Sequence, residues 1–448
     1  MLPWSLRETA ALVNGRLVQG EGELKVSGVC HDTRKVKRGD LFAAIVGNRL
    51  DGHRFLKQAA KKGAVAAVVS RRVPVGLPQI FVKDTTEALG QMGRAQRLQW
   101  NGPVVAVTGS VGKTTVKDMA AHLLSGSFRV LKTQGNLNNQ WGLPLTLLGL
   151  RREHEAAVVE LGINHPGEME RLSEIARPDV AIVTAIGEAH LGFFRNRRHL
   201  AEEKKKIAAH LRKGGMNILN ADDSLLRTNV ENVMTFGLKL GQVRAIRLET
   251  DGLGTRFELQ AEGESAATRL SMPGAHNVRN SLAAVSAGLA LGIPLRALAA
   301  RLRSFVSQAP MRMEIKNLGG ILFVNDAYNA SPTSMEAAIL TFDQMSGPRR
   351  KWAVLGDMLE LGEFSPETHY RIVKRAVESS LDDILLVGPR MKKAFAGLTD
   401  GQQSKVQAFE DVRDARAFLR RSTERGDAVL LKASRGMKLE KMLEGFEK

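Results

Sequence analysis

Residues 104–115 read V-V-A-V-T-G-S-V-G-K-T-T, and no other stretch narrows the possible folds as far. The β-branched run predicts a short buried strand that ends in small residues. Beyond it Val116, Met119, Ala120, Leu123 and Leu124 recur at spacings of three and four, which predicts an amphipathic helix. A strand that turns through small residues into a helix N-terminus gathers backbone N–H groups and partial positive charge at one point. Gly109, Ser110, Val111, Gly112, Lys113, Thr114 and Thr115 are therefore expected to bind phosphate. Lys113 suits the β/γ-phosphates and the Thr114 hydroxyl suits Mg²⁺. The longer form G-x-x-x-x-G-K-[ST] needs glycine where Val107 stands, so the strand–loop–helix context carries the assignment. A chain built around this unit is expected to handle a nucleoside triphosphate.

At 448 residues several domains are expected, and no apolar run approaches the roughly 18 residues that span a bilayer. The first residues, Met1–Glu8, lack a basic stretch followed by an apolar core, so no secretory signal is expected. Cys30 is the only cysteine, which rules out an internal disulfide and fits a cytoplasmic protein. The net charge of +18 is dispersed, and its densest clusters, Arg195–His199 and Lys204–Lys206, have no interleaved aromatics. That pattern favours solvated faces and attraction for anionic small substrates over nucleic-acid binding.

Three segments follow from the patterning. In residues 1–98, Asp40–Val46 and Ala64–Val69 read as buried strands flanking a helix from His53 to Lys62, with a third strand at Ile80–Val82. In residues 99–308, strands expected at 103–108, 128–132, 156–161, 180–185 and 216–219 alternate with helices, which implies a parallel sheet. A helix over Asn277–Leu291 closes this segment. In residues 309–448, strands are expected at Ile321–Asn325, Lys351–Leu355, Asp383–Val387 and Asp427–Leu431. Asp326, Asp357, Gly388 and Ser434 each follow one of these strands, suggesting a second ligand-binding rim that faces the first.

Glu160 ends an apolar strand, where a carboxylate needs a partner; Mg²⁺ shared with Thr114 and the phosphates would supply one. A backbone N–H or an arginine is the alternative partner. His190 follows the strand near 180–185 and is by itself ordinary for a loop. Leu200, Lys204, Ile207, Ala208 and Leu211 share one helix face, so Lys204 points inward while Lys206 points away. An inward lysine near phosphate either snorkels, pairs with phosphate or has lost its charge.

Over essentially its whole length the chain resembles the Mur ligases, ATP-dependent amide-bond-forming enzymes of peptidoglycan precursor synthesis. The resemblance rests on T-G-S-V-G-K-T-T (108–115), Q-G-N-L-N-N (134–139), E-L-G-I-N-H-P-G-E (160–168), H-N-V-R-N (276–280), N-D-A-Y-N-A-S-P (325–332), G-D-M-L-E-L-G-E (356–363) and K-A-S-R-G (432–436). D-T-R-K-V-K-R-G-D-L-F (32–42) and D-G-H (51–53) add the first segment. The resemblance implies an α/β protein of three domains: a central P-loop parallel-sheet ATPase domain between a small α/β N-terminal domain and a Rossmann-like C-terminal domain. The D-A-Y-N-A-S-P and G-D-M-L-E-L-G-E pair resembles the branch that joins D-alanyl-D-alanine to UDP-MurNAc-tripeptide through an acyl phosphate. The branch one step earlier, which adds a diamino acid, usually has a D-N-P-R signature that this chain lacks.

Carried over, the resemblance gives ATP to Gly109–Thr115, with Lys113 on the phosphates and Thr114 on magnesium. It makes Glu160 and His190 ligands of magnesium, and Lys204 a carbamylated lysine binding a second ion. Asn277, Arg312 and Asp326 are expected at adenine, phosphate and ribose. Asp32, Thr33 and Arg34 belong to the uridine-diphosphate side, and Asn138, Asn329 and Ser331 to the acyl and dipeptide end. Lys113, His190 and Lys204 form the expected catalytic set. A monomer acting on small molecules, with no nucleic acid and no membrane span, is expected; an ATP-switched nucleic-acid-binding protein is the alternative from another class. The chain departs from the family pattern at Gly192, where glutamate is common, and at the two lysines following Lys204. Whether the third peptide residue is lysine or diaminopimelate is left open.

Overall fold

The computed structural model describes residues 4–47, 50–188, 193–228, 230–251, 253–307, 309–359 and 361–446. The chain forms two compact units, one of residues 1–108, 124–182 and 203–217 and the other of residues 109–123, 183–202 and 218–448. Both are α/β, as expected.

In the first unit, Ser5 and Glu8 form a capping box that starts the helix Leu6–Leu12. A five-stranded sheet follows, in the order Arg16–Gln19, Gln79–Phe81, Ala66–Val69, Asp40–Ala43 and Gly28–Cys30. Its strands are parallel except the first, an antiparallel edge. The period of two sorts the side chains: Leu41, Ala43, Ala66, Val68 and Ile80 pack with Trp4, Leu6 and Met92. Phe42, Ala44, Ala67 and Val69 pack with Leu56, Ala59 and Leu77 on the other face. The helix expected from His53 begins as a 3₁₀ turn, Gly52–Phe55, because Asp51 caps it through the His53 N–H; the α-helix proper is Leu56–Lys61.

Helix Thr85–Gln99 carries Arg97, which is 1% exposed, into the next strand system. Its guanidinium donates to the carbonyls of Ala176 (3.0 Å), Trp100 (2.9 Å) and Gly102 (3.1 Å), and pairs with Asp179 at 2.7 Å. Asp179 also accepts the Val104 N–H at 2.8 Å, so one buried ion pair fixes the start of the strand that leads to the phosphate loop. Removal from water draws the Arg97 pKa down to about 10 against the attraction of Asp179. Strand Ala156–Glu160 lies between Val104–Thr108 and Val130–Lys132, parallel to both.

In the second unit, helix Lys113–Ser125 follows the loop and helix Ala275–Ala290 falls where its periodicity places it. Strands Val243–Asp251, Gly254–Ala261 and Glu264–Leu270 form an antiparallel meander absent from the expected set of parallel strands. The middle strand buries Thr255, Phe257, Leu259 and Ala261 and turns Arg256, Glu258 and Gln260 outward, so it alternates where the parallel strands read as continuous apolar runs. Glu262 and Gly263, at φ of 53° and 80°, make the tight connection between the last two strands.

The last segment is a six-stranded sheet ordered Glu314–Leu318, Ile321–Asn325, Ala428–Lys432, Lys351–Gly356, Asp383–Val387 and Val406–Phe409. Only the first strand is antiparallel, and it was not expected. Val324, Ala353, Leu355, Ile384 and Leu430 pack with Met335, Phe342 and Ile372 on one face. Phe323, Val354, Leu385, Val429 and Leu431 pack with Leu419 and Met442 on the other. This sandwiching explains why the strands read as nearly continuous apolar runs.

Candidate active site

The phosphate loop is shaped by close backbone approach. Gly112 sits at φ 82°, and a Cβ there would lie 2.4 Å from Asn280 Oδ1; a Cβ on Gly109 would lie 1.9 Å from Thr184 Oγ1. The Ser110 N–H donates to Ala185 O at 2.8 Å and the Thr184 hydroxyl to Val111 O at 2.5 Å, so the adjoining strand end fixes the loop. Lys113 Nζ donates to Gly109 O at 2.8 Å and Ser110 O at 3.3 Å, which lays the ammonium across the loop. Thr114 and Thr115 continue the first helical turn. A backbone cradle with a lysine over it and a helix N-terminus beneath fits a polyphosphate.

The first unit holds Glu160 and Lys204. Glu160, 2% exposed, accepts from Asn138 Nδ2 at 2.8 Å, and its backbone N–H donates to Thr133 Oγ1 at 3.0 Å. Glu160 is in register with Val107, two residues before Gly109 along the neighbouring strand. Lys204 is 1% exposed on helix Arg197–Lys205, as its facing predicts, whereas Lys206 is half-exposed and pairs with Glu203 at 2.9 Å. Glu203 had drawn no notice in the sequence; its buried carboxylate accepts the N–H groups of Gly167 (2.7 Å) and Met169 (3.4 Å) and so caps helix Glu168–Ala176. His190 lies outside the described residues. Among the described residues, no three His, Cys, Asp or Glu side chains gather into a ready metal cluster. Glu160 and the Thr114 hydroxyl are oxygen donors of the kind Mg²⁺ takes, and a lysine joins such a set only as a carbamate.

The second unit brings the expected nucleotide-closing residues together. Asp326 pairs with Lys432 at 2.7 Å and accepts the Met313 N–H at 3.1 Å. The Arg312 guanidinium stacks 4.0 Å from the Tyr328 ring centroid. Asn277 is buried, and its amide donates to Pro273 O at 2.8 Å. Beside it, partly buried His276 meets Thr341 Oγ1 at 3.3 Å, and removal from water lowers its pKa to about 4 despite Asp326 nearby. Ser331 caps helix Pro332–Asp343 in a box with Ser334. Asn329 gives its backbone carbonyl to Lys432 at 2.9 Å. That helix comes close to the phosphate loop's surroundings: a Cβ on Gly187 would lie 2.9 Å from Thr333 Oγ1 and 3.5 Å from Ser110 Cβ. Asp357 accepts the N–H of Met391 at 2.9 Å and Ser434 Oγ accepts that of Leu359 at 2.8 Å, so both shape the rim's backbone.

In the small domain, Arg34 forks onto Asp32 at 2.7 and 3.0 Å, an interaction that holds the Asp32 carboxyl far below its ordinary range. Thr33 donates to Gln58 at 3.0 Å. Asp51 orients the His53 imidazole at 2.7 Å, and the His53 Nε2 accepts the Ser70 N–H at 2.9 Å. Burial alone would raise the Asp51 pKa, but His53 and Arg71 together hold it down to about 2. Lys432, Thr184, Asn280, Glu203 and His276 are the site-forming residues that sequence reasoning left without roles. Lys432 and Thr184 at least stood at strand ends, and His276 and Asn280 inside a quoted motif.

Fold and loop together define an α/β protein with a phosphate-binding loop, and the comparisons narrow the class. The Mur ligase catalytic-domain model matches residues 25–97, the Mur ligase middle domain 107–288 and the Mur ligase glutamate ligase domain 311–435. The UDP-N-acetylmuramoyl-tripeptide--D-alanyl-D-alanine ligase of Bacillus subtilis is 36% identical, covering 99% of this chain and 98% of that protein. MurF from Acinetobacter baumannii superposes with a TM-score of 0.92 at 34% identity, covering 99% of each chain. The MurF ligase of Thermotoga maritima in complex with ADP gives 0.85 at 31% identity, covering 94% of this chain and 97% of that one. The chain belongs to the Mur ligase family.

Proposed function

We propose that this chain joins D-alanyl-D-alanine to UDP-N-acetylmuramoyl-tripeptide, with ATP hydrolysed to ADP and phosphate, in cytoplasmic peptidoglycan precursor synthesis. The phosphate loop, with Lys113 laid over a glycine cradle, is the observation that carries ATP chemistry. Full-length similarity to D-alanyl-D-alanine ligases supports the acceptor. Domains at 1–98, 99–308 and 309–448 take the UDP-linked substrate, ATP and the dipeptide respectively.

The tripeptide's terminal carboxylate attacks the γ-phosphate in line, giving an acyl phosphate and ADP. Lys113 and the N–H groups of Gly109–Thr115 spread the developing charge. Thr114, Glu160, His190 and a carbamylated Lys204 would hold two Mg²⁺ ions, which would supply further charge neutralisation. Asn138, bonded to Glu160, orients that carboxylate and lines the acyl end with Asn329 and Ser331. Asp32, Thr33 and Arg34 hold the uridine-diphosphate side. Asn277, Arg312 and Asp326 contact adenine, phosphate and ribose, and closure over them keeps water from the acyl phosphate. The dipeptide amine then attacks the acyl carbon, and phosphate leaves with the bridging oxygen. The enzyme works as a monomer.

Phosphate release with UDP-MurNAc-tripeptide is expected only when D-alanyl-D-alanine is the amine. Release on offering UDP-MurNAc-dipeptide with diaminopimelate or lysine would move the chain to the preceding step.

A further inference from the structure

Lys432 ends the strand Ala428–Lys432, and its side chain is 3% exposed. A protonated amine has three hydrogens to donate. Here they meet three acceptors: Asp326 Oδ2 at 2.7 Å, Asp326 O at 3.2 Å and Asn329 O at 2.9 Å. All three lie on one short turn, Asp326–Asn329, so this lysine shapes that turn and keeps no donor for a ligand.

The turn governs Arg312 from both sides. Asp326 Oδ1 accepts the Met313 N–H at 3.1 Å, and the Tyr328 N–H donates to Met311 O at 3.0 Å. The Tyr328 ring itself lies under the Arg312 guanidinium at 4.0 Å. Met311 and Met313 stand at φ of 58° and 51°, a left-handed conformation that side chains resist. Arg312 is thus presented by a strained segment whose flanking residues are both bonded to the turn that Lys432 holds.

We propose that Lys432 is the positioning residue that sets Asp326 and Arg312 for the nucleotide. This rests on the assignment of Asp326 and Arg312 to ribose and phosphate made above. It has three parts: the ammonium fixes the Asp326 carboxylate, the Asn329 tie fixes the turn, and Tyr328 passes the turn's position to Arg312.

The test compares nucleotide and UDP-substrate responses of the full chain. In Lys432→Met the KM for ATP rises about tenfold or more, while kcat falls less and the KM for UDP-MurNAc-tripeptide holds within about twofold. In a thermal-shift titration, ADP with Mg²⁺ stabilises the wild type but loses most of its effect on Lys432→Met, whereas stabilisation by the UDP substrate persists. Equal ADP stabilisation of both proteins overturns the proposal. If ADP does not stabilise the wild type, the functional assignment fails instead. Should Lys432→Met not fold, the Tyr328 variants decide, since they leave the Lys432–Asp326 pair in place. Tyr328→Leu is expected to raise the KM for ATP more than Tyr328→Phe does, and equal values for the two overturn the ring's part in presenting Arg312.

Discussion

The phosphate loop and the Asp326–Asn329 turn both belong to the proposed nucleotide site, but they are built in opposite ways. The loop is made from seven consecutive residues, and its shape depends on backbone at two glycines pressed against Asn280 and Thr184. The turn takes its shape from a lysine 106 residues away, from a ring stack and from strained methionines. A site made of local backbone tolerates no added atom. A site made of distant side chains fails gradually, one charge at a time.

Substitutions at the loop should therefore have the larger effects. Lys113→Met is expected to lower kcat by about a thousandfold or more, roughly 4 kcal/mol of transition-state stabilisation, in a steady-state phosphate-release assay. A loss below tenfold would mean that the ammonium does not act on the transferring phosphate. Gly112→Ala adds one methyl group at φ 82° and 2.4 Å from Asn280 Oδ1. Its kcat/KM for ATP should fall about a hundredfold with folding preserved, as judged by circular dichroism. Near wild-type kinetics would erase the contrast between the two regions.

At the turn, Asp326→Asn leaves Lys432 buried with a weaker partner. About 2 kcal/mol of stability should be lost in urea denaturation, less than for a fully buried pair because Asp326 is 17% exposed. Unchanged stability would show that the pair is not under load. The smallest effect concerns His276. Its folded pKa of about 4 lies below the unfolded value, so the unfolded state takes up the proton first. Stability is fully present above pH 6.5 and declines as pH falls toward 4. With its partial exposure, about 1 kcal/mol is lost by pH 5, and His276→Gln should abolish that part of the acid sensitivity. Identical pH profiles for the variant and the wild type would show that partly buried, neutral His276 is not a source of the acid sensitivity.

The same contrast governs what could be read from the sequence. The strand before Gly109, the loop and the helix after it lie in one continuous stretch, so spacing alone located them. The burial of Lys204 was legible too, because a 3.6-residue period fixes which side of a helix faces inward. The meander from Val243 to Leu270 was not, because its strands alternate polar with apolar residues instead of running continuously apolar, and its last turn depends on Glu262 adopting a positive φ. Lys432 was visible as a lysine at a strand end, yet its meaning depends on strand order, which places it beside Ile321–Asn325. His276 owes its low pKa to burial, helped by the charge of Lys432 and opposed by that of Asp326, neither of them near it in sequence. Chemistry held in consecutive backbone is readable; chemistry assembled by a sheet is not.

Isotope transfer tests the central claim most directly. UDP-MurNAc-tripeptide labelled with ¹⁸O in both oxygens of its terminal carboxylate is incubated with ATP, Mg²⁺ and D-alanyl-D-alanine. The released phosphate should carry one labelled oxygen and the new amide carbonyl the other, because the carboxylate attacked the γ-phosphate. Unlabelled phosphate accompanying amide formation would contradict acyl-phosphate ligation by this chain.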